Sequence, residues 1–133
     1  MAPSTAEPTV LIADDDRDIL ELLAYRLGRE GYEVLRASDG EEALRLAVER
    51  KPDLALLDVM MPKLDGFQVT RQIREHEATR LIPVILITAR VREEDVVRGF
   101  EAGADDYMTK PFSPADLRVR MRIIMERRQR PAG

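Results

Sequence analysis

The chain has 133 residues, 44% of them hydrophobic and 35% charged, with a formal net charge of −4. One domain is the expectation at that length, large enough to bury a core without covalent staples. It has no cysteine and one histidine, His76. That excludes disulfide scaffolds, thiolate zinc sites, cysteine nucleophiles and multi-histidine metal centres. The acidic balance argues against direct nucleic-acid binding, and no apolar run approaches the roughly 18 residues of a membrane span. Residues 1–8 have neither the basic start nor the apolar run of a signal peptide, so a cytoplasmic location is expected.

In chain order, Thr9–Ala13 (TVLIA) reads as the first strand, followed by Asp14, Asp15 and Asp16. Asp16 suits the N-cap of a helix that repeats Leu20, Leu23 and Leu27 and ends at Gly31. Glu33–Ala37 is the second strand. A capping box, Ser38 with Glu41 or Asp39 with Glu42, then opens a helix lined by Ala43, Leu44, Ala47 and Val48. Residues 53–57 (DLALL) form the third strand, and Phe67, Thr70 and Ile73 mark the helix after it. His76, between Glu75 and Glu77, is expected in solvent. Residues 83–87 (PVILI) form the fourth strand. Val96, Val97 and Phe100 mark the fourth helix, closed by Gly103. Asp106–Thr109 is a weak fifth strand, and the last helix carries Leu117, Met121 and Ile124 with Pro114 in its first turn.

Three of these strands are almost unbroken apolar runs, as expected of strands covered on both faces. Strands alternating with helices imply a parallel sheet with helices on both sides. The reading is one doubly wound α/β domain over residues 9–130, with a disordered tail at 1–8 and a tail or linker start at 131–133.

Ligands of such sheets bind beyond the carboxyl ends of the strands. Strand one runs into Asp14–Asp16, strand three into Asp58, strand four into Thr88 and strand five into Lys110. Each alone has an ordinary reading as a cap or a turn residue. Together they bring acids, a hydroxyl and an ammonium to one rim. Carboxylates crowded in one cleft raise each other's pKa unless a cation joins them, and all-oxygen ligation suits a hard ion such as Mg²⁺. A carboxylate beside Mg²⁺ and a lysine is a plausible nucleophile toward phosphorus. Thr88 would donate to a phosphoryl oxygen and Lys110 would neutralise another.

LIADDD (11–16), LLDVMMPKLDG (56–66), ILITAR (85–90) and GADDYMTKPF (103–112) resemble the receiver domain of bacterial two-component response regulators. The resemblance implies a flavodoxin-like five-stranded sheet in the order 2-1-3-4-5. It implies Asp58 as phospho-acceptor, and Asp14, Asp15, Asp58 and the Met60 backbone carbonyl as Mg²⁺ ligands. Thr88 and Tyr107 would be the switch residues, and Lys110 the phosphate-binding ammonium after a cis Lys110–Pro111 bond. Ala89 would keep the site open, Gly66 would serve the turn after Met61-Pro62, and Met60 and Arg90 would tune phosphate lifetime. The phosphoryl donor would be a histidine kinase, a phosphotransfer protein or a small donor such as acetyl phosphate. Such a protein is a signalling phospho-acceptor, not a turnover enzyme.

Residues 118–130 carry six arginines against one glutamate, which reads as a solvated helix face. From Glu93 onward the chain nevertheless resembles the winged-helix (OmpR/PhoB) class, whose receivers dimerise through helix four, strand five and helix five. That implies interface pairs Glu101–Arg122 and Asp106–Arg120, whereas Val96 stands where a base for Asp116 is expected. A stand-alone receiver and a piece of a longer regulator read alike. A flavodoxin-type carrier conflicts with the acidic first loop. A haloacid-dehalogenase-like phosphatase would place its nucleophile after strand one. A receiver-shaped module that is never phosphorylated is the remaining alternative.

Overall fold

Alternation within each strand sends apolar side chains to both faces of a sheet, and helices cover both. The computed structural model describes residues 7–89 and 92–129, with side chains through Arg127. Residues 1–6 and 131–133 of the expected tails, with Arg90 and Arg130, lie outside the described residues. The elements are β1 (Thr9–Ala13), α1 (Arg17–Arg29), β2 (Glu33–Ala37), α2 (Gly40–Arg50), β3 (Leu54–Asp58), α3 (Gly66–Glu75), β4 (Val84–Thr88), α4 (Glu93–Ala102), β5 (Asp106–Thr109) and α5 (Pro114–Gln129). All neighbouring strands are parallel, in the order β2-β1-β3-β4-β5.

Leu11, Ala13, Ala55, Leu57, Val84 and Leu86 face a core completed by Phe67, Val69 and Ile73 of α3. Val10, Ile12, Leu54, Leu56, Ile85 and Ile87 face the other core, with Leu20, Leu23 and Leu27 of α1 and Leu117, Met121 and Ile124 of α5. The helices start and stop where local chemistry dictates. Asp16 accepts from the N–H groups of Asp18 and Ile19, capping α1. At the other end Gly31, at φ 96°, donates to Gly28 while Tyr32 donates to Leu27. Those two bonds satisfy carbonyls that a helix end leaves open.

Of the two boxes open at α2, Asp39 supplies the cap, accepting from Glu42 N–H at 2.8 Å. The return bond goes from Ser38 N–H to Glu42 at 2.9 Å. A full capping box, Asp65 with Gln68, opens α3.

Two sequence expectations shift. β3 and β4 each lie one residue later than expected. Asp53 meets Thr9 twice, its N–H donating to the Thr9 carbonyl at 2.7 Å and its side chain, in place of its carbonyl, accepting from Thr9 N–H at 2.7 Å, and Pro83 has no N–H to contribute. Asp58 and Thr88 are therefore the last rungs of their strands rather than the first loop residues. The apolar stripe of α4 also points outward. Val97 and Phe100 are 49% and 48% exposed, and the buried residues are Gly99 and Ala102. A methyl group at Gly99 would lie 3.0 Å from both Leu86 and Tyr107. Small residues let α4 lie close on the sheet, so its larger side chains face away.

Phe67 is fully buried in the α2–α3 core. Phe67→Ala should cost about 3–5 kcal/mol in urea unfolding. Gly28, on a helix with nothing within 4 Å of an added methyl, should give about 0.5–1 kcal/mol of extra stability as Gly28→Ala.

Candidate functional site

Four strand ends converge on one rim. Asp14 follows β1, and its N–H extends the ladder by bonding Ala37 at 3.1 Å. Its Oδ1 accepts from Asp16 N–H at 2.9 Å, which orients the carboxylate inward. Asp15 remains exposed beside it, and Asp16 turns away to serve as the α1 cap. Asp58 ends β3, with Oδ1 accepting from Met60 N–H at 3.2 Å. Thr88 ends β4 and is fully buried. Lys110 follows β5, anchored by its N–H to the Thr88 carbonyl at 2.8 Å. Its Nζ lies 2.8 Å from Asp14 Oδ2 and 3.2 Å from Asp58 Oδ2. The Lys110–Pro111 peptide is cis, as the resemblance implies.

The electrostatics follow from burial and charge count. Burial pushes the Asp58 carboxyl up, Asp14 pushes it further and Lys110 opposes them, leaving a pKa of about 6. Burial alone would lower the Lys110 ammonium. Hydrogen bonds and charge from Asp14 and Asp58 outweigh it, so Lys110 stays above the ordinary lysine value. One ammonium thus serves two acids, Asp14 and Asp58, with Asp15 beside them. Carboxylate oxygens of Asp14, Asp15 and Asp58 lie within 4.8 Å of one another. An all-oxygen donor set with surplus negative charge fits a hard divalent cation.

The remaining assigned residues lie on α4, β5 and α5, away from the acidic cluster. Tyr107, in mid-β5, packs half-buried against the α3-side core. Glu101 is exposed on α4. Asp106 accepts two bonds from Arg120 Nη1 of its own chain, at 2.9 and 2.8 Å. Within one chain, then, Arg120 of α5 already closes on Asp106 of β5. Asp116, with no base at Val96, takes Arg120 Nε at 3.2 Å one turn along its own helix. Arg122 lies beside Glu30, Tyr32 and Arg118, on the flank of α5 turned toward α1.

Sequence reasoning missed Arg74. From α3 it donates to the carbonyls of Ile82 at 2.6 Å and Gly103 at 2.9 Å, and to Asp105 at 2.9 Å. Asp105 in turn accepts from Val84 N–H at 2.8 Å. The start of β4, the end of α4 and the start of β5 are thus tied together at the rim opposite the acidic cluster. The available signal was the first acid in GADD, Asp105, since only Asp106 had been given a role.

A family model described as the response regulator receiver domain matches residues 10–122. The chain belongs to the response-regulator receiver family. It is 51% identical over 118 residues to the alkaline phosphatase synthesis transcriptional regulatory protein PhoP of Bacillus subtilis, covering 89% of this chain and 48% of that protein. It is 44% identical over 119 residues to the phosphate regulon transcriptional regulatory protein PhoB of Pseudomonas aeruginosa, covering 90% and 52% respectively. The chain spans about half the length of the curated relatives it matches. Among solved structures, the Francisella response regulator 1452 receiver domain superposes with a TM-score of 0.84 at 37% identity, covering 90% of this chain and 98% of that one. The BeF3-activated N-terminal receiver domain of Klebsiella pneumoniae RstA gives 0.82 at 31% identity, covering 88% and 97%. The receiver fold and its strand order agree with the sequence reading.

An acid whose folded pKa is raised binds protons that the unfolded chain has released. Stability contributed at Asp58 therefore falls as pH rises from about 4 to about 6. Without divalent metal, Asp58→Asn should be about 1–3 kcal/mol more stable than the parent at pH 8. The gap should close toward pH 4, as read by urea unfolding across that range.

Proposed function

We propose that Asp58 is the phospho-acceptor of this receiver, taking a phosphoryl group from a histidine kinase, a phosphotransfer protein or a small donor such as acetyl phosphate. The observation that carries this is the buried Asp58 carboxylate with Lys110 Nζ 3.2 Å away and Asp14 beside it. An Asp58 oxygen attacks phosphorus as the donor's N–P or acyl O–P bond breaks. The bonding pair leaves with the imidazole or the acetate, and the new bond is an acyl phosphate. Lys110 neutralises charge on the incoming group, and the Thr88 hydroxyl donates to one of its oxygens. Asp14, Asp15, Asp58 and the Met60 carbonyl would hold Mg²⁺, which supplies further charge neutralisation when bound. Catalysis by the chain amounts to positioning of its own acceptor. The protein is a stoichiometric signalling component, with slow loss of the phosphate, in the cytoplasm.

The donor's approach is supported by an apolar cleft of about 400 Å³ next to Lys110, lined by Ile19, Leu22, Leu23, Phe112 and Pro114. Phosphate at Asp58 draws Thr88 toward it and lets Tyr107 turn inward, biasing a two-state surface formed by α4, β5 and α5. That surface exposes Val97, Phe100, Val119 and Ile123, which suits a second copy. Glu101 with Arg122, and Asp106 with Arg120, are the ion pairs we assign to the dimer, the latter by exchange with the internal pair.

Incubation with acetyl phosphate and Mg²⁺ should add one phosphoryl group to the parent, read by intact-protein mass spectrometry. Asp58→Asn should gain none, and a chelator should stop labelling of the parent. Labelling of Asp58→Asn to the same extent would falsify the acceptor assignment. Phosphorylation should also raise the sedimentation coefficient at micromolar protein, and Phe100→Asp should cancel that rise. A phosphorylated parent that sediments as a monomer throughout would remove the dimer from the reading.

A further inference from the structure

The loop from Val59 to Asp65 joins the Asp58 carboxylate to α3, and its shape is not one that its residues favour. Lys63 has a φ of 73°, and the Pro62 carbonyl accepts from Leu64 N–H at 2.9 Å. A three-residue turn with positive φ is strained for a residue with a side chain, so something outside the loop has to hold it. The Pro62 carbonyl takes a second bond, 3.2 Å long, from the N–H of Gly40. Lys63 Nζ stands 3.6 Å from Asp39 and 3.8 Å from Glu41. The first turn of α2 is therefore the surface on which this loop rests.

Gly40 is where the two backbones meet. An added methyl there would overlap the Leu64 carbonyl oxygen and lie 2.6 Å from the Leu64 carbonyl carbon. The obstacle is main chain, so no rotamer change relieves it. Gly40 sits at the start of an ordinary helix, so space, not conformational freedom, is what this glycine supplies. On the other side, a methyl at Gly66 would come within 2.6 Å of the Asp58 carbonyl oxygen. The loop is fitted between two glycines, one on each flanking helix.

We propose that Gly40 is a positioning residue for the acceptor site. It touches neither Asp58 nor a phosphoryl group. By admitting Leu64 and Pro62 against α2, it fixes the path of the loop and hence where Met60 lies relative to Asp58. This rests on the reading of Asp14, Asp15, Asp58 and Met60 as the Mg²⁺ ligands.

The test compares the parent, Gly40→Ala and Gly28→Ala by calorimetric Mg²⁺ titration, and by amide hydrogen exchange at Met60 and Leu64 without metal. Gly40→Ala should bind Mg²⁺ about tenfold more weakly and exchange faster at both amides. Gly28→Ala should match the parent in both. A folded Gly40→Ala with the parent's Mg²⁺ affinity overturns the inference alone, whereas a parent that binds no Mg²⁺ overturns the ligand reading and the inference together. If Gly40→Ala does not fold, Lys63→Ala decides, since it removes only the exposed tether to Asp39 and Glu41. About twofold weaker binding supports the role, and unchanged affinity rejects it.

Discussion

A single ammonium shared by two buried carboxylates holds the reactive rim together. Lys110 approaches from β5, Asp14 from β1 and Asp58 from β3. In the order β2-β1-β3-β4-β5 the lysine must pass over the end of β4 to reach them. Two acids cannot both stay ionised in a poorly solvated crevice without a cation. Lys110 offsets one negative charge, and burial first, then the charge on Asp14, still raises the Asp58 pKa. That residue of repulsion makes the rim receptive to a divalent ion. A site with complete internal compensation would be more stable and less reactive.

The opposite rim is built for rigidity. Arg74 ties α3 to backbone carbonyls before β4 and at the end of α4, and to Asp105 at the start of β5. Movement of α4 and β5 is therefore restrained at one end of the sheet and less so at the other. The packing of α4 points the same way. Contact through Gly99 and Ala102 gives it little buried side-chain surface, so shifting it disturbs few core contacts. A large part of the switching behaviour proposed for this receiver is thus a matter of where the packing is thin.

Much of this was legible in the sequence. Short apolar runs bounded by Asp and Pro marked β1, β3 and β4, because buried parallel strands allow few polar residues, while the edge strands β2 and β5 left a fainter pattern. Asp14, Asp58, Thr88 and Lys110 could be grouped because topology sends every strand end to the same rim, while their individual roles came from family resemblance. What escaped depends on contacts that spacing does not encode. Val96, Val97 and Phe100 showed which α4 residues share a face, but the inward side was set by Gly99 against Leu86 and Tyr107. Arg74 spends its guanidinium mainly on backbone carbonyls, and carbonyls leave no trace in a sequence. Gly40 reads as a poor start to a helix until Leu64 is seen lying on it.

The Arg120–Asp106 pair, in which Nη1 alone meets both carboxylate oxygens, has a bearing on ionic strength. A second copy brings the same two residues, so trading the internal pair for its counterpart across a two-fold axis leaves the number of ion pairs unchanged. Counterions screen both arrangements almost alike, and little of the energy of assembly is spent or recovered in the trade. Salt would then act mainly on Glu101 and Arg122, while the exposed valines, Phe100 and Ile123 supply attraction that salt strengthens if anything. An association of that kind would tolerate wide changes in cellular salt, with its equilibrium governed by phosphate at the distant carboxylate.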